Sequence, residues 1–134
     1  HEVVALVRPG RAAAAAAALP PGGIARPADV ADAASVARDG VAGERFDAVL
    51  SCMASRTGVP RDAWAVDHRA HAHLLDAARR AGVGHFVLLS AICVQKPRLA
   101  FQHAKLAFER ELVASGMPYS IVRPTAYFKS LSGQ

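Results

Sequence analysis

The chain alternates between short apolar runs of strand length and longer segments with helical periodicity, and this alternation limits the fold more than any other feature. Four runs rich in Val and Leu have the length of buried strands, Glu2–Val7, Phe46–Cys52, His85–Ala91 and Tyr119–Pro124. A fifth, weaker candidate lies at Ile24–Arg26. Strands that alternate with helices form βαβ units, in which the strands run parallel. The sequence therefore predicts an α/β fold, a Rossmann-like doubly wound parallel sheet.

The segments between these runs place apolar residues three and four positions apart, as amphipathic helices do. Asp62 is expected to cap a long helix that continues to about Ala81, where two glycines follow. A second long helix is expected over Leu99–Ser115 and a shorter one over Ala31–Arg38. The alanine run at Ala12–Ala18 lacks caps, so it predicts a surface connection with one helical turn.

The predicted sheet lacks its usual centre. In the common strand order 3-2-1-4-5-6, the first strand lies in the middle and leads into a Gly-rich turn. The sequence contains no G-x-G-x-x-G, and its first apolar run has the character of a second strand. The strands at Glu2–Val7 and Phe46–Cys52 would then leave buried backbone groups unpaired between them. We therefore expect residues 1–134 to be an internal part of one Rossmann-like domain, with its N-terminal βα unit outside this sequence.

The bulk properties exclude several classes of protein. A chain of 134 residues is long enough for one domain, and 52% apolar with 20% charged residues is typical of a globular protein. Cys52 and Cys93 make no disulfide framework, and the histidines His68, His71 and His73 lack the further ligands that zinc needs. The net charge is +5, but the basic residues are scattered, which favours small anionic ligands over nucleic acid.

The first candidate cofactor residues come soon after the predicted strands Glu2–Val7 and Ile24–Arg26. They are candidates because ligands of a doubly wound sheet bind at the carboxyl ends of its strands. Arg8 and Arg11 suit the 2′-phosphate of NADPH, with solvated surface arginines as the alternative. Asp29 and Val30 follow the weak strand, and Asp29 either reaches an adenine amino group or caps the next helix.

Further candidates follow two later strands. Cys52 and Ala54 belong to the small-residue segment "SCMAS", which would let a cofactor approach the backbone closely. Pro124 leads out of the last strand, and Thr125 behind it can bond a carboxamide or a phosphate. We expect these residues to complete the cofactor site.

The candidate catalytic residues are Ser90, Phe101 and Lys105. Ser90 ends a strand, and Phe101 and Lys105 share one helical face because they are four positions apart. A Ser, a Tyr and a Lys in such positions form a proton-transfer set, but Phe101 has no proton to give. Lys105 can bond the ribose hydroxyls of a nicotinamide cofactor. The alternatives are a Ser90 bonded to its own loop and a solvated surface Lys105.

Several long stretches resemble a known family. They are "SCMASRTGVPRDAWAVDHRA", "AICVQKP", the F-x-x-x-K of Phe101–Lys105, and "SIVRPTAYFKSL". Through them the segment Phe46–Gln134 resembles the divinyl chlorophyllide a 8-vinyl-reductases, which belong to the atypical, NmrA-like branch of the short-chain dehydrogenase/reductase superfamily. Residues Arg11–Gly43 match this family poorly. The resemblance implies that residues 1–134 are part of an NAD(P)-binding Rossmann domain, with the Gly-rich opening of the family and its C-terminal substrate part outside this sequence.

The resemblance implies an NADPH-dependent oxidoreductase that reduces a C=C bond, the 8-vinyl group of divinyl chlorophyllide or protochlorophyllide, in (bacterio)chlorophyll synthesis. A carbonyl reductase must protonate an oxyanion, whereas a conjugated macrocycle can hold the charge that hydride addition leaves. Phe101 is then tolerable and would pack against the flat tetrapyrrole or nicotinamide. The proton donor stays open among Lys105, Tyr127 and water.

The same resemblance implies a tetrapyrrole as substrate. No apolar run approaches the ~20 residues of a membrane span, so we expect no transmembrane segment, with peripheral membrane association left open. The sequence offers no recognition helix and no interleaved aromatic residues, so we expect no nucleic-acid partner. The resemblance implies the cytoplasm of a bacterium, at or near the photosynthetic membrane, or the plastid of a plant or alga. The alternative function is a non-catalytic NADP(H) sensor or scaffold, since NmrA-like proteins without the Tyr can bind cofactor without turnover. Hydride transfer to a vinyl tetrapyrrole would discriminate between the two.

Overall fold

The computed structural model describes residues 2–125. Its five strands are β1 (Val4–Val7), β2 (Ile24–Pro27), β3 (Ala48–Ser51), β4 (His85–Leu89) and β5 (Tyr119–Val122). All five predicted strands are therefore present, and most are shorter than the apolar runs that predicted them. Every pairing is parallel, as the alternation of strands and helices requires.

The strands form two separate groups. β1 pairs with β2, while β4 lies between β3 and β5. Within residues 2–125, the second edges of β1 and β3 have no strand partner. Leu50 on β3 is 68% exposed, so the face of β3 that carries it is uncovered, which is unusual in a parallel sheet. The division falls at the position where the sequence predicts the missing central strand.

The helices lie where the sequence predicts them, but several of their ends differ from the prediction. α1 (Ala12–Ala16) is the expected short helical turn in the alanine run, and it buries no side chain. α2 (Ala33–Ser35) begins later than expected, because Asp32 caps it by accepting from the N–H of Ala34 at 3.0 Å. It continues as a π-helical segment, Val36–Val41.

The long central helix has three parts, α3 (Pro60–Ala63), a π-helical segment (Trp64–Ala70) and α4 (His71–Arg80). The expectation that Asp62 caps it is wrong. The helix begins earlier because proline suits the first helical position, where no N–H is needed. Asp62 instead accepts from the Thr57 hydroxyl at 2.8 Å and fastens the preceding loop to the first turn.

α5 (Ala100–Ala114) agrees with the second predicted long helix. Its apolar face and that of α4 pack against β4, so that the core is a cluster of buried side chains that includes Leu74, Phe86, Leu88, Phe108 and Leu112. No helix within the described part of the chain is long and apolar enough to cross a membrane. The packing of α5 against β4 is what brings the candidate site together.

Candidate functional site

A cavity of about 220 Å³ opens at the carboxyl ends of β3 and β4. Its walls come from the loop after β3, the end of β4, and three side chains, Asp67, Phe101 and Lys105. Of the residues that the sequence predicts for the site, Cys52, Ala54, Ser90, Phe101 and Lys105 all line it. The structure therefore gathers the candidate catalytic residues and part of the cofactor set in one place.

Lys105 is a buried internal cation, so the alternative of a solvated surface lysine is wrong. Its side chain is 5% exposed, and its Nζ lies 3.2 Å from Asp67 Oδ1. The same Nζ donates to the carbonyls of Met53 at 3.2 Å and Leu89 at 3.4 Å. An ammonium has three protons, and each has an acceptor here. A hydrogen bond from Lys105 to a ligand would have to replace one of these contacts.

Asp67 is the functional residue that the sequence reasoning missed. It lies in the π-helical segment, is 1% exposed, and pairs with Lys105. Its two carboxylate oxygens also accept from the N–H of Ser55, at 3.4 and 3.3 Å. Asp67 stands four positions after Ala63 on the buried face of the helix, and a carboxylate there needs a cation. That placement is the signal that could have found it.

Ser90 bonds to helix α5 and not to its own loop. Its hydroxyl donates to Glu109 Oε1 at 2.5 Å, and both residues are buried. Arg123, just after β5, holds the same carboxylate through Nε to Oε1 at 3.1 Å and Nη2 to Oε2 at 2.5 Å. The hydrogen bonds that Arg123 donates to Glu109 raise the pKa of Arg123, which keeps the guanidinium charged. Ser90 therefore touches the cavity on one side and a buried ion pair on the other.

His71 lies beside the Lys105 site as a neutral, buried ring. Its Nδ1 is 2.9 Å from the carbonyl of Val66, and its ring packs on Phe108 with centroids 4.9 Å apart. Burial, followed by the nearby charge of Lys105, lowers the pKa of His71 to about 4. The ring is thus uncharged near neutral pH and packs as part of the core.

The other two histidines have separate partners. His68 contacts Glu111 on α5 at 2.7 Å, while His73 contacts the carbonyl of Val30 at 3.1 Å. His68 therefore faces α5, and His73 faces the turn after β2. Within residues 2–125, no three His, Cys, Asp or Glu side chains are grouped to hold a metal.

The predicted residues after β1 and β2 do not line the cavity. Arg8 and Arg11 are exposed, and the backbone N–H of Arg11 bonds to the Arg8 carbonyl at 3.0 Å in a tight turn. Hydrogen bonds from Thr57 chiefly lower the pKa of Asp62, and the charge of Arg8 contributes. The role of Arg8 toward a phosphate stays a prediction.

Asp29 and Val30 belong to the turn after β2. Asp29 Oδ1 accepts from the N–H of Ala31 at 2.9 Å, and the N–H of Asp29 bonds to Ser35 Oγ at 3.0 Å. Asp29 is not the helix cap, because Asp32 takes that position. Val30 packs against the core and its carbonyl accepts from His73. Contact with an adenine stays a prediction for both residues.

Pro124 and Thr125 also lie apart from the cavity wall. The carbonyl of Pro124 accepts from the N–H of Ile92 at 3.2 Å, which ties the exit of β5 to the loop after β4. Thr125 is exposed. Tyr127, one of the open proton donors, lies outside the described residues.

The cavity suits the nicotinamide half of a dinucleotide. Cys52 and Ala54 have small side chains and Gly58 has none, which leaves the backbone of the loop after β3 open to a ligand. Phe101 adds a flat apolar wall, and the polar atoms of Ser90 and Lys105 lie at the strand ends below it. The chemistry of these residues fits a flat ring that carries amide and hydroxyl groups.

Comparisons with known proteins agree with this geometry. A family described as NAD(P)H-binding matches residues 1–131. The chain is 55% identical over 111 residues to divinyl chlorophyllide a 8-vinyl-reductase, chloroplastic, of Oryza sativa subsp. indica, covering 79% of this chain and 27% of that protein. It is 60% identical over 94 residues to the protein of the same name from Cucumis sativus, covering 66% and 22%. The chain thus spans roughly a quarter of the length of the curated relatives it matches.

The fold is shared with a solved structure. The NADPH-dependent quinone oxidoreductase QOR2 of Escherichia coli, complexed with NADPH, matches with a TM-score of 0.72 and 26% identity, covering 97% of this chain and 42% of that one. The parallel strands and this likeness confirm the predicted Rossmann-like α/β fold. The match over residues 1–131 and the cavity at the strand ends together show that the chain belongs to the NAD(P)H-binding family.

Proposed function

We propose that the full-length protein uses NADPH to reduce the 8-vinyl group of divinyl chlorophyllide or protochlorophyllide to an ethyl group, in (bacterio)chlorophyll synthesis. The observation that carries this proposal is the cavity in which Phe101, Ser90 and the buried Lys105 meet. It lies in the part of the chain that resembles the vinyl-reductases. The names of the curated relatives, at 54–60% identity, support the substrate class.

The cofactor would supply the hydride, and the residues of this chain would orient it. Phe101 offers its ring as a wall against a flat ligand, and Lys105 fixes the β3 loop to the end of β4 through its two carbonyl contacts. Arg8 and Arg11 are proposed to bind the 2′-phosphate and so to select NADPH over NADH. Asp29, Val30, Pro124 and Thr125 are proposed to contact other parts of the cofactor.

The proton that completes the reduction is proposed to come from water or from Tyr127. Phe101 has no proton to give, and the ammonium of Lys105 is held inside the protein by Asp67 and two backbone carbonyls. Vinyl reduction can tolerate this arrangement because no oxyanion has to be protonated as it forms.

The site is proposed to be completed by a further strand and a Gly-rich turn between β1 and β3. The unpaired edges of these two strands support this, because an open strand edge leaves a row of backbone N–H and C=O groups without partners. Such a turn would hold the pyrophosphate at a helix N-terminus. We therefore expect the isolated 134-residue chain to bind NADPH far more weakly than the full-length protein, and equal affinities would contradict this part of the proposal.

The proposed setting follows from the proposed substrate. The curated relatives are chloroplastic proteins of plants. We propose a plastid location if the source is a plant or alga, and the cytoplasm near the photosynthetic membrane if it is a bacterium, with a tetrapyrrole and not a nucleic acid as the partner.

The direct test is turnover by the full-length protein. Divinyl chlorophyllide and NADPH are incubated with the protein, and the monovinyl product is separated by chromatography and quantified against time. Product formation that depends on both protein and NADPH supports the proposal. Tight NADPH binding without any product would overturn it and favour the alternative of a non-catalytic NADP(H) sensor or scaffold.

A further inference from the structure

We propose that Glu109 is a positioning residue that directs the Ser90 hydroxyl proton away from the cavity, so that Ser90 accepts a hydrogen bond from the carboxamide N–H of the bound cofactor. The inference rests on the proposed function only in taking a nicotinamide cofactor as the ligand of the cavity. It makes Ser90 an acceptor for the cofactor and not a donor to the substrate.

The direction of the Ser90 hydroxyl follows from its partner. A serine hydroxyl has one proton and two lone pairs. Glu109 Oε1 lies 2.5 Å from Ser90 Oγ, within the range of short hydrogen bonds between a hydroxyl and a carboxylate. Arg123 engages both oxygens of the same carboxylate, so Glu109 is held as the ionised acceptor of an ion pair. The one proton shared between Ser90 and Glu109 is therefore the serine proton.

Glu109 lies behind the cavity and does not form part of its wall. It is 3% exposed on α5, four positions after Lys105, and it reaches the cavity only through Ser90. Arg123 fixes it from the end of β5, and its side chain is 35% exposed. One face of α5 thus presents a cation to the cavity at Lys105 and, one turn later, an anion to the back of Ser90.

The fixed hydroxyl determines which ligand atoms Ser90 can bind. With its proton turned toward Glu109, Ser90 presents lone pairs to the cavity, and lone pairs bind N–H or O–H donors. A carbonyl or carboxylate oxygen at the same point would be repelled. The carboxamide of nicotinamide carries the N–H donors that match, and it lies on the part of the cofactor that the cavity suits.

The first experiment is a double-mutant cycle in the full-length protein, with the dissociation constant of NADPH measured by fluorescence titration. In Glu109→Gln the side chain keeps its size, but its amide can donate to Ser90 and turn the serine proton into the cavity. Ser90→Ala should weaken NADPH about fivefold, the usual effect of losing one neutral hydrogen bond. Glu109→Gln should weaken it at least as much, yet have no further effect in the Ser90→Ala background.

A Glu109→Gln effect of equal size in both backgrounds would show that Glu109 acts on the fold alone and would overturn the proposal. An unchanged affinity in Glu109→Gln alone would overturn it as well. Thermal unfolding of all four proteins checks that the variants are folded where binding is measured.

A second measurement does not depend on the stability of a Glu109 variant. The 3-acetylpyridine analogue of the cofactor has a methyl group where the carboxamide has nitrogen, so it lacks the N–H donor. Wild type should bind the analogue several-fold more weakly than the parent cofactor, and Ser90→Ala should lose most of that discrimination. Equal binding of the two by wild type would overturn the proposal. Neither measurement needs turnover, so a failure of vinyl reduction is distinguishable from a failure of this inference.

Discussion

The two groups of strands carry different chemistry at their carboxyl ends. Near the ends of β3, β4 and β5, the charged side chains are paired, Lys105 with Asp67 and Glu109 with Arg123, and all but Arg123 are buried. At the ends of β1 and β2, Arg8 and Arg11 are exposed and Asp29 is bonded to its own turn. The side chains of the first region are therefore held by protein partners, whereas Arg8 and Arg11 in the second region are exposed to solvent. Changes in the first should disturb both fold and binding, and changes in the second should disturb binding alone.

The largest expected effect is on stability, from Lys105→Met in the buried region. The change leaves Asp67 as an unpaired buried carboxylate and removes the donor to two carbonyls. Breaking such a pair should lower the free energy of unfolding by about 3–5 kcal/mol, measured by urea denaturation of the full-length protein. Adding Asp67→Asn should restore part of the lost stability, because the second change removes the unpaired buried charge. A Lys105→Met variant as stable as wild type would contradict the buried ion pair.

The second effect is a loss of stability in mild acid, caused by His71. Burial lowers its pKa in the folded state from 6.5 to about 4, so the unfolded chain takes up the proton first as pH falls. Stability is fully present above pH 6.5 and is lost between 6.5 and about 4. Linkage gives a loss of about 2 kcal/mol between pH 7 and pH 5.

His71→Leu is the matched control for this effect, because it keeps an apolar group of similar size against Phe108. Urea denaturation of both proteins at pH 7 and pH 5 measures the difference. The variant should lack most of the pH dependence of wild type. The same slope in both proteins would mean that another group is responsible.

The third effect concerns the exposed region and should appear in binding only. Replacing Arg8 and Arg11 with Ala should weaken NADPH about 10- to 150-fold if one charge-assisted contact to the 2′-phosphate is lost, while NADH binding stays nearly unchanged. Stability should change by less than about 0.5 kcal/mol, as is usual for exposed residues. An unchanged ratio of the two affinities would remove these arginines from the phosphate site.

The sequence predicted the strands and helices well because their signals are local. Apolar runs and helical spacing depend on neighbouring residues, and β4 and α5 were found from them within a few residues. The cap at Asp62 was wrong because two local signals compete there, and the proline at position 60 opens the helix first. Ends of elements depend on a single hydrogen bond, and several residues near each end can make it.

The site was only partly predictable because its decisive contacts are long-range. Ser90, Phe101 and Lys105 were found from their spacing and do line one cavity. The partners Asp67 and Glu109 were not found, since Asp67 lies 38 positions before Lys105 and Glu109 lies 19 after Ser90. Both residues are buried on helix faces that were predicted to be apolar. A carboxylate at such a position is the signal in the sequence that could have indicated them.

The central claim is that this site reduces a vinyl group and needs no phenolic acid at position 101, and Phe101→Tyr in the full-length protein tests it most directly. The measurement is the steady-state rate of divinyl chlorophyllide reduction with NADPH, for wild type and variant side by side. The added hydroxyl keeps the ring, so the rate should change by a few-fold at most, about 1 kcal/mol in activation free energy. A hundredfold rise would show a reductase that lacks its tyrosine acid and would contradict the vinyl-reduction mechanism.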